Sequence, residues 1–496
     1  MKENNGTVTR FAPSPTGYIH IGNVRSAIYP FLIAKKAGGR FILRIEDTDQ
    51  ARYVEGATDL IMETLKWLGL EWDEGPEVGG ENGPYYQSER KEIYRKWAEK
   101  MILSGRAYVD ETKTEEIERM RKEDNEEKLA FLFRNHRPDS YNWDTEKTLE
   151  VFRNEKVALR FKAEPKRREW TDEVMGKMHA GPEVQDDIIL IKKDGMPTYN
   201  FAHIVDDAEM GVTHIARGVE YLASMPNYLA MYEALELTPP KFLSLPHILA
   251  PSGNKKLGKR DGAKSVNEYR KDGILPEAML NYLACLGWND GTEQEIYSME
   301  ELIEKFTIPR IQSSPARFDE RKILWYNGQW IRKIFQERGV KALYEETRGF
   351  WSKEALAFSE EYRLRVLSII YDRLKTFGEI AEFTDYFFRE PEVDVVMMRE
   401  NKFLKKFSKE EILGLLEKTE LRLAEISEWT AENIQTGLNE LLAETEKKPA
   451  ELFSLIRIAI SFAPFSPALN ETMEVLGKER SLGRISRAKA AIEGAE

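Results

Sequence analysis

Apolar positions in the first ninety residues change period repeatedly, and each change marks an element. Thr7–Ala12 and Arg40–Ile45 are short β-like runs. Between them Val24, Ile28, Phe31 and Leu32 recur at three- and four-residue intervals, the period of a helix with one buried face. Pro30 falls inside that stretch and predicts a kink or a shifted boundary. A second amphipathic helix sets Ala57, Leu60, Ile61, Thr64, Leu65 and Leu68 on one face and stops at Gly69. Strand alternating with helix in this way predicts a parallel sheet with its ligand at the carboxyl ends of the strands. From about residue 90 to 200 the pattern shifts to charged helices such as Lys113–Lys128, separated by less regular stretches, as in an insertion between two halves of one α/β fold. Strand-like runs return at Asp187–Ile191 and Val212–Arg217. Beyond about residue 270 the chain reads as helical, with Tyr362–Phe377, Lys409–Lys418 and Ala450–Phe462 carrying apolar residues at helical spacing. No internal repeat or low-complexity linker marks the borders.

Composition narrows the class. A chain of 496 residues with 42% hydrophobic and 32% charged residues is globular and long enough for several domains. No apolar run approaches the ~20 residues of a spanning helix, and the N-terminus lacks a secretion signal, so a cytoplasmic location is expected. Cys285 is the single cysteine, which excludes internal disulfides and multi-cysteine zinc sites. The net charge of −12 argues against a nucleic-acid partner only globally, because binding follows local potential. Three basic clusters stand out: Lys162 with Lys166, Arg167 and Arg168; Lys402 with Lys405 and Lys406; Arg480 with Arg484, Arg487 and Lys489. Each fits a solvated face as well as a polyanion contact.

Two segments carry chemistry. Arg10-Phe-Ala-Pro-Ser-Pro-Thr-Gly-Tyr-Ile-His-Ile-Gly-Asn23 lies at a strand-to-helix turn, where an imidazole and backbone amides make a phosphate site. Lys256-Leu-Gly-Lys-Arg260 offers two lysines three residues apart, suited to neutralising a leaving pyrophosphate. A histidine before a helix is more often structural, and Lys-x-x-Lys-Arg alone is only a basic loop. The Ala12-Pro-Ser-Pro-Thr-Gly17 flank, and the placement of the lysines after Leu243-Ser-Leu-Pro-His-Ile-Leu-Ala-Pro-Ser-Gly253, make the pair specific.

Together they resemble the His-Ile-Gly-His and Lys-Met-Ser-Lys-Ser signatures of class I aminoacyl-tRNA synthetases. Asn23 replaces the last histidine of the first motif and Gly258 the serine of the second, which removes a hydroxyl donor and implies a loop that closes less firmly and a slower, still active enzyme. Arg40-Phe-Ile-Leu-Arg-Ile-Glu-Asp-Thr-Asp49 resembles the glutamyl-tRNA synthetases of bacteria. The resemblance implies an α/β Rossmann catalytic domain of residues 1–92 and 205–265, split by an α+β acceptor-stem-binding insertion of 93–204. A stem-contact segment of 266–335 and a predominantly helical anticodon-binding region of 336–496 would follow. It implies ATP contacts from His20, Gly22, Asn23, Glu220, Tyr221, Ile248, Lys256 and Lys259, of which His20, Gly22, Lys256 and Lys259 assist catalysis. Glutamate contacts would come from Arg10, Ala12, Ser14, Glu46, Tyr199, His203 and Arg217.

Chemically, Glu46 suits an ammonium, while Arg10 and Arg217 suit carboxylates. The structural alternative pairs the two arginines with Glu46 and Asp47. His203 stands where relatives often have asparagine. Where some relatives place zinc ligands after Ala107-Tyr108, this chain has Val109-Asp-Glu111, so no zinc is expected, and Mg²⁺ would arrive with ATP. The implied activity is ATP-dependent attachment of L-glutamate to tRNA-Glu, or to tRNA-Gln in addition or instead, by a monomer. Misacylated tRNA-Gln would call for an amidotransferase partner. The competing readings are a non-catalytic tRNA-binding paralogue and an enzyme that glutamylates a modified tRNA base.

Overall fold

The computed structural model describes residues 6–17, 19–258, 264–463 and 466–494. Its strands are β1 (Val8–Phe11), β2 (Arg40–Leu43), β3 (Ala107–Asp110), β4 (Ala158–Phe161), β5 (Arg168–Asp172), β6 (Gly176–Ala180), β7 (Ile189–Ile191), β8 (His214–Gly218), β9 (Lys241–Leu245), β10 (Ile248–Leu249) and β11 (Ala316–Arg317). The main sheet has the order β2-β1-β8-β9-β5-β6. Strands β2, β1, β8 and β9 run parallel, and β5 joins β9 in the same direction before turning back as the antiparallel hairpin β5–β6. Because β1 and β8 are neighbours, Arg10 near the end of one and Arg217 near the end of the other reach the same carboxyl edge.

The run at Asp187–Ile191 departs from expectation. Its strand, β7, pairs antiparallel with β4 in a separate three-stranded sheet, β3-β4-β7, and does not return to the parallel sheet. A short apolar run suits a buried strand in either setting, and only its distant partner decides.

The first helices are α1 (Ile21–Lys36), α2 (Ala57–Trp67), α3 (Lys91–Leu103), α4 (Thr114–Glu126), α5 (Thr145–Asn154), α6 (Tyr199–Glu209) and α7 (Met225–Ala234). Pro30 neither ends α1 nor shifts its boundary: every residue from Ala27 to Ala34 is buried, and tertiary packing overrides the proline. Thr9 Oγ1 also donates to the Pro30 carbonyl at 2.8 Å. Helix α2 stops as expected, with Gly69 in the left-handed region at φ +71°.

Beneath the sheet's carboxyl edge lies a buried ion network. Arg44, fully buried, meets Asp207 at 2.7 Å, Glu46 at 3.0 Å and Asp206 at 3.5 Å. Asp206 also accepts from Arg90 Nε (2.7 Å), Gln87 Nε2 (2.7 Å) and Tyr94 Oη (2.9 Å). Removing one member leaves buried charge uncompensated, at a cost of about 3–5 kcal/mol. Asp206→Ala is therefore expected to destabilise this part of the chain by about that amount, read from the shift of its urea unfolding transition. A loss below about 1 kcal/mol would contradict the network's role.

The chain divides into two compact units, Met1–Tyr269 with Pro276–Lys322, and Arg270–Leu275 with Ile323–Glu496. The second is helical and captures the 270–275 segment through buried Asn327. The Asn327 side chain accepts from Leu275 N at 2.8 Å and donates to the Gly273 and Lys375 carbonyls at 3.2 and 2.7 Å. Helices form at Lys409–Ala424 and Pro449–Ser461, close to the expected runs. The expected helix Tyr362–Phe377 is instead Glu360–Ile370, and a new turn of helix begins at Thr376. There the Glu379 carboxylate accepts from the backbone amides of Lys375 and Thr376, a start signal that breaks the run in two.

Candidate active site

A cavity of about 350 Å³ opens at the carboxyl ends of β1 and β8. Arg10, Ala12, Ser14, His20, Gly22, Asn23, Glu46, Tyr199, Arg217, Glu220, Tyr221, Ile248 and Lys256 all line it. Of the remaining sequence-predicted residues, Lys259 lies outside the described residues, and His203 is placed behind the wall, 1% exposed.

The turn after β1 delivers His20 as the N-cap of α1. Its Nδ1 accepts from Gly22 N at 3.1 Å, which in a ring with one hydrogen places that hydrogen on Nε2, at the helix N-terminus. A Cβ on Gly22 would stand 3.1–3.2 Å from the His20 ring, which explains glycine at this position. Lys256, the first residue of the lysine motif, and Ser265 beyond it are each anchored here by a backbone bridge. Ser265 bridges to His20 through the backbone, while Lys256 bridges to Leu249 in β10. Arg317 of β11 holds the intervening Ala250–Gly253 turn, donating from Nη1 to the Ala250 and Gly253 carbonyls at 2.7 Å each. Lys256 Nζ donates to Glu220 Oε1 at 2.9 Å, and His247 Nδ1 lies 3.7 Å from Glu220 Oε2. Partial burial works against the charged form of Glu220, yet Lys256 holds its carboxyl below the usual carboxylate range.

The opposite wall carries Arg10, Glu46 and Arg217. The two arginines do not pair with Glu46 or Asp47. Asp47 instead accepts from Ser88 N and Oγ at 2.8 and 2.6 Å. Arg10 Nε bonds Asp207 at 3.1 Å, while burial and then Arg10 and Arg44 act on the Asp207 carboxyl, with the arginines prevailing and holding it down to about 2. Arg217, 7% exposed, has no carboxylate partner among the described residues. Its guanidinium lies 4.8–5.7 Å from the ring centres of Tyr221, Tyr228 and Phe242, and faces Met225 Sδ and His203 Nε2. Aromatic faces stabilise a cation without neutralising it. Burial pushes the Glu46 carboxyl up against the pull of Arg44 and Arg10.

Sequence reading missed Arg25, His247 and the hub pair Arg44 and Asp207. Arg25 and His247 line the cavity, and Arg25 Nη1 also donates to the Leu286 carbonyl at 3.2 Å. Arg44 and His247 had a faint signal, being polar residues flanked by apolar ones in Phe41-Ile-Leu-Arg-Ile45 and Leu245-Pro-His-Ile-Leu249. The basic clusters give the reverse lesson. Arg480, Arg484 and Arg487 converge on Glu390, Lys166 and Arg168 on Glu233, and Lys406 on Glu451. Among the described residues, no group of three or more His, Cys, Asp or Glu could hold a metal ion, and no helix is long and apolar enough to cross a membrane.

The family model for the catalytic domain of class I tRNA synthetases, specific for glutamate and glutamine (E and Q), matches residues 7–325. The chain belongs to that family. A second model, an anticodon-binding domain, matches residues 342–489 of this synthetase. It is 38% identical over 496 residues to a glutamate–tRNA ligase of Dehalococcoides mccartyi, covering 98% of each chain. Identity is 41% over 483 residues to the glutamate–tRNA ligase of Clostridium tetani, covering 96% of each. Its structure resembles that of a glutamate–tRNA ligase from Elizabethkingia meningosepticum solved in complex with its amino acid. That match has a TM-score of 0.87 and 33% identity, and covers 99% of this chain and all of the other. A class I catalytic domain with a mixed, largely parallel sheet is thus followed by a helical anticodon-binding domain.

Proposed function

We propose that this synthetase activates L-glutamate with ATP in the cavity and transfers it to tRNA-Glu. The observation that carries the reading is Arg217, a buried guanidinium lining the cavity without a carboxylate partner among the described residues. A glutamate side-chain carboxylate would compensate it with paired, charge-assisted hydrogen bonds. Glutamine would present an NH₂ where an acceptor is wanted and leave the charge unanswered. Glu46 would take the ammonium, and Arg10, Ser14 and Tyr199 would orient the remainder.

The α-carboxylate attacks the α-phosphorus of ATP in line, the bond to the bridging oxygen breaks, and pyrophosphate leaves. A ribose hydroxyl at the tRNA 3′ end then attacks the acyl carbon and releases AMP. His20 Nε2 and the first amides of α1 would receive the phosphates, and Lys256 would leave Glu220 to follow the departing pyrophosphate. Mg²⁺ would enter as the ATP complex and screen phosphate charge. Residues 93–204 would serve as the acceptor-stem insertion and 266–335 as the stem-contact segment of a monomer.

Aminoacylation with radiolabelled glutamate, run separately on purified tRNA-Glu and tRNA-Gln, tests the reading. Charging of tRNA-Glu is expected. Charging of tRNA-Gln as well would mark a non-discriminating enzyme whose product needs an amidotransferase. Binding of tRNA with no charging of either would overturn the reading in favour of a non-catalytic paralogue.

A further inference from the structure

Helix α6 carries Tyr199, His203 and Asp207 at i, i+4 and i+8, one stripe along its length. Each member of the stripe meets the amino-acid wall. Tyr199 lines the cavity, Asp207 holds Arg10, and His203 Nε2 lies 3.4 Å from Arg217 Nη1. The two arginines are therefore held by partners of different charge.

The state of His203 follows from its surroundings. Nδ1 is 2.9 Å from the Tyr199 carbonyl oxygen, which can only accept, so Nδ1 carries the hydrogen. In a ring with one hydrogen, Nε2 is then an acceptor, and it faces the guanidinium donor. The ring is stacked on Tyr199 at 5.0 Å and meets Tyr228 edge-on at 4.6 Å, which fixes its plane. Burial, followed by the charge of Arg217, pushes the imidazole down to about 3, so the ring stays neutral.

We propose that His203 is a specificity-determining positioning residue, which fixes Arg217 through a neutral acceptor and so keeps the full guanidinium charge for the substrate's side-chain carboxylate. A carboxylate at this position would hold Arg217 at least as firmly but would neutralise it, and the site would then tolerate an amide. An apolar residue would leave the Arg217 donor unanswered and its fork free to turn. This inference rests on the reading that the cavity takes glutamate through Arg217.

The test uses the full-length enzyme with tRNA and varies glutamate, glutamine and ATP separately. H203Q, which keeps both an acceptor and a donor, should stay within about fivefold of the wild type in kcat/KM for glutamate. H203L should raise KM for glutamate about 10- to 100-fold with KM for ATP unchanged. H203E should lower kcat/KM for glutamate at least as much and narrow the glutamate-to-glutamine ratio about tenfold or more. An unchanged KM for glutamate in H203L would overturn the proposal, as would equal losses in all three variants with KM for ATP moving in parallel. Should H203E fail to fold, H203Q against H203L decides alone. A wild-type enzyme that does not use glutamate would instead refute the underlying functional reading.

Discussion

Arg217→Leu is expected to lower kcat/KM for glutamate by about 10²- to 10⁴-fold while making the ligand-free protein more stable. The loss follows from truncating one partner of a buried, hydrogen-bonded charge pair, about 3–5 kcal/mol when the partner is a carboxylate. The gain in stability has the same origin. Arg217 is a buried cation that aromatic rings and neutral acceptors hold, with no carboxylate compensating it among the described residues. Leucine, shorter than arginine but apolar, removes that cost, and about 1 kcal/mol of added stability is expected. Arg217→Lys should fall between, because an ammonium keeps the charge but loses the planar fork. Steady-state kinetics with varied glutamate and thermal melts of the same preparations check both signs. Activity and stability falling together would show that Arg217 serves the fold and not the substrate.

The same residue shows how far the sequence could be read. Arg10, Glu46, Tyr199 and Arg217 were legible as a set because each sits in a local motif, and the parallel order β2-β1-β8 gathers those motifs at one sheet edge. Their partners were not legible. Arg10 bonds Asp207, 197 residues away, and no local pattern reports that separation. The nearby acids Glu46 and Asp47 were the obvious partners by proximity, but Arg44 takes Glu46 while Ser88 takes Asp47.

The boundary shift expected at Pro30 did not occur, because helix propensity is a weak term beside eight consecutive buried positions, Ala27 to Ala34. Ile189–Ile191 misled because period and hydrophobicity are the same for a buried parallel strand and a buried antiparallel one. The basic clusters were open to either reading because a count of lysines and arginines omits the carboxylates that fold against them, as Glu390 does against three arginines.

The largest expected effect on the nucleotide side comes from Lys256→Ala, a fall of about 10²- to 10³-fold in the rate of adenylate formation with KM for glutamate nearly unchanged. Removing one pre-positioned group aimed at charge that develops in the transition state has about this consequence. In the ligand-free structure Lys256 is bound to Glu220 at 2.9 Å, with both side chains about half exposed. An exposed pair of this kind is worth at most about 1 kcal/mol, so the more highly charged triphosphate can take the lysine from it. The pair therefore holds Lys256 beside the cavity without committing it, while the backbone bridge from Lys256 to Leu249 fixes the base of its side chain. If Lys256 meets pyrophosphate only as it departs, as proposed, its loss should appear in single-turnover formation of the adenylate more than in substrate binding. Retention of the wild-type single-turnover rate by Lys256→Ala would remove Lys256 from the chemistry. A loss confined to KM for ATP would make it a ground-state contact only.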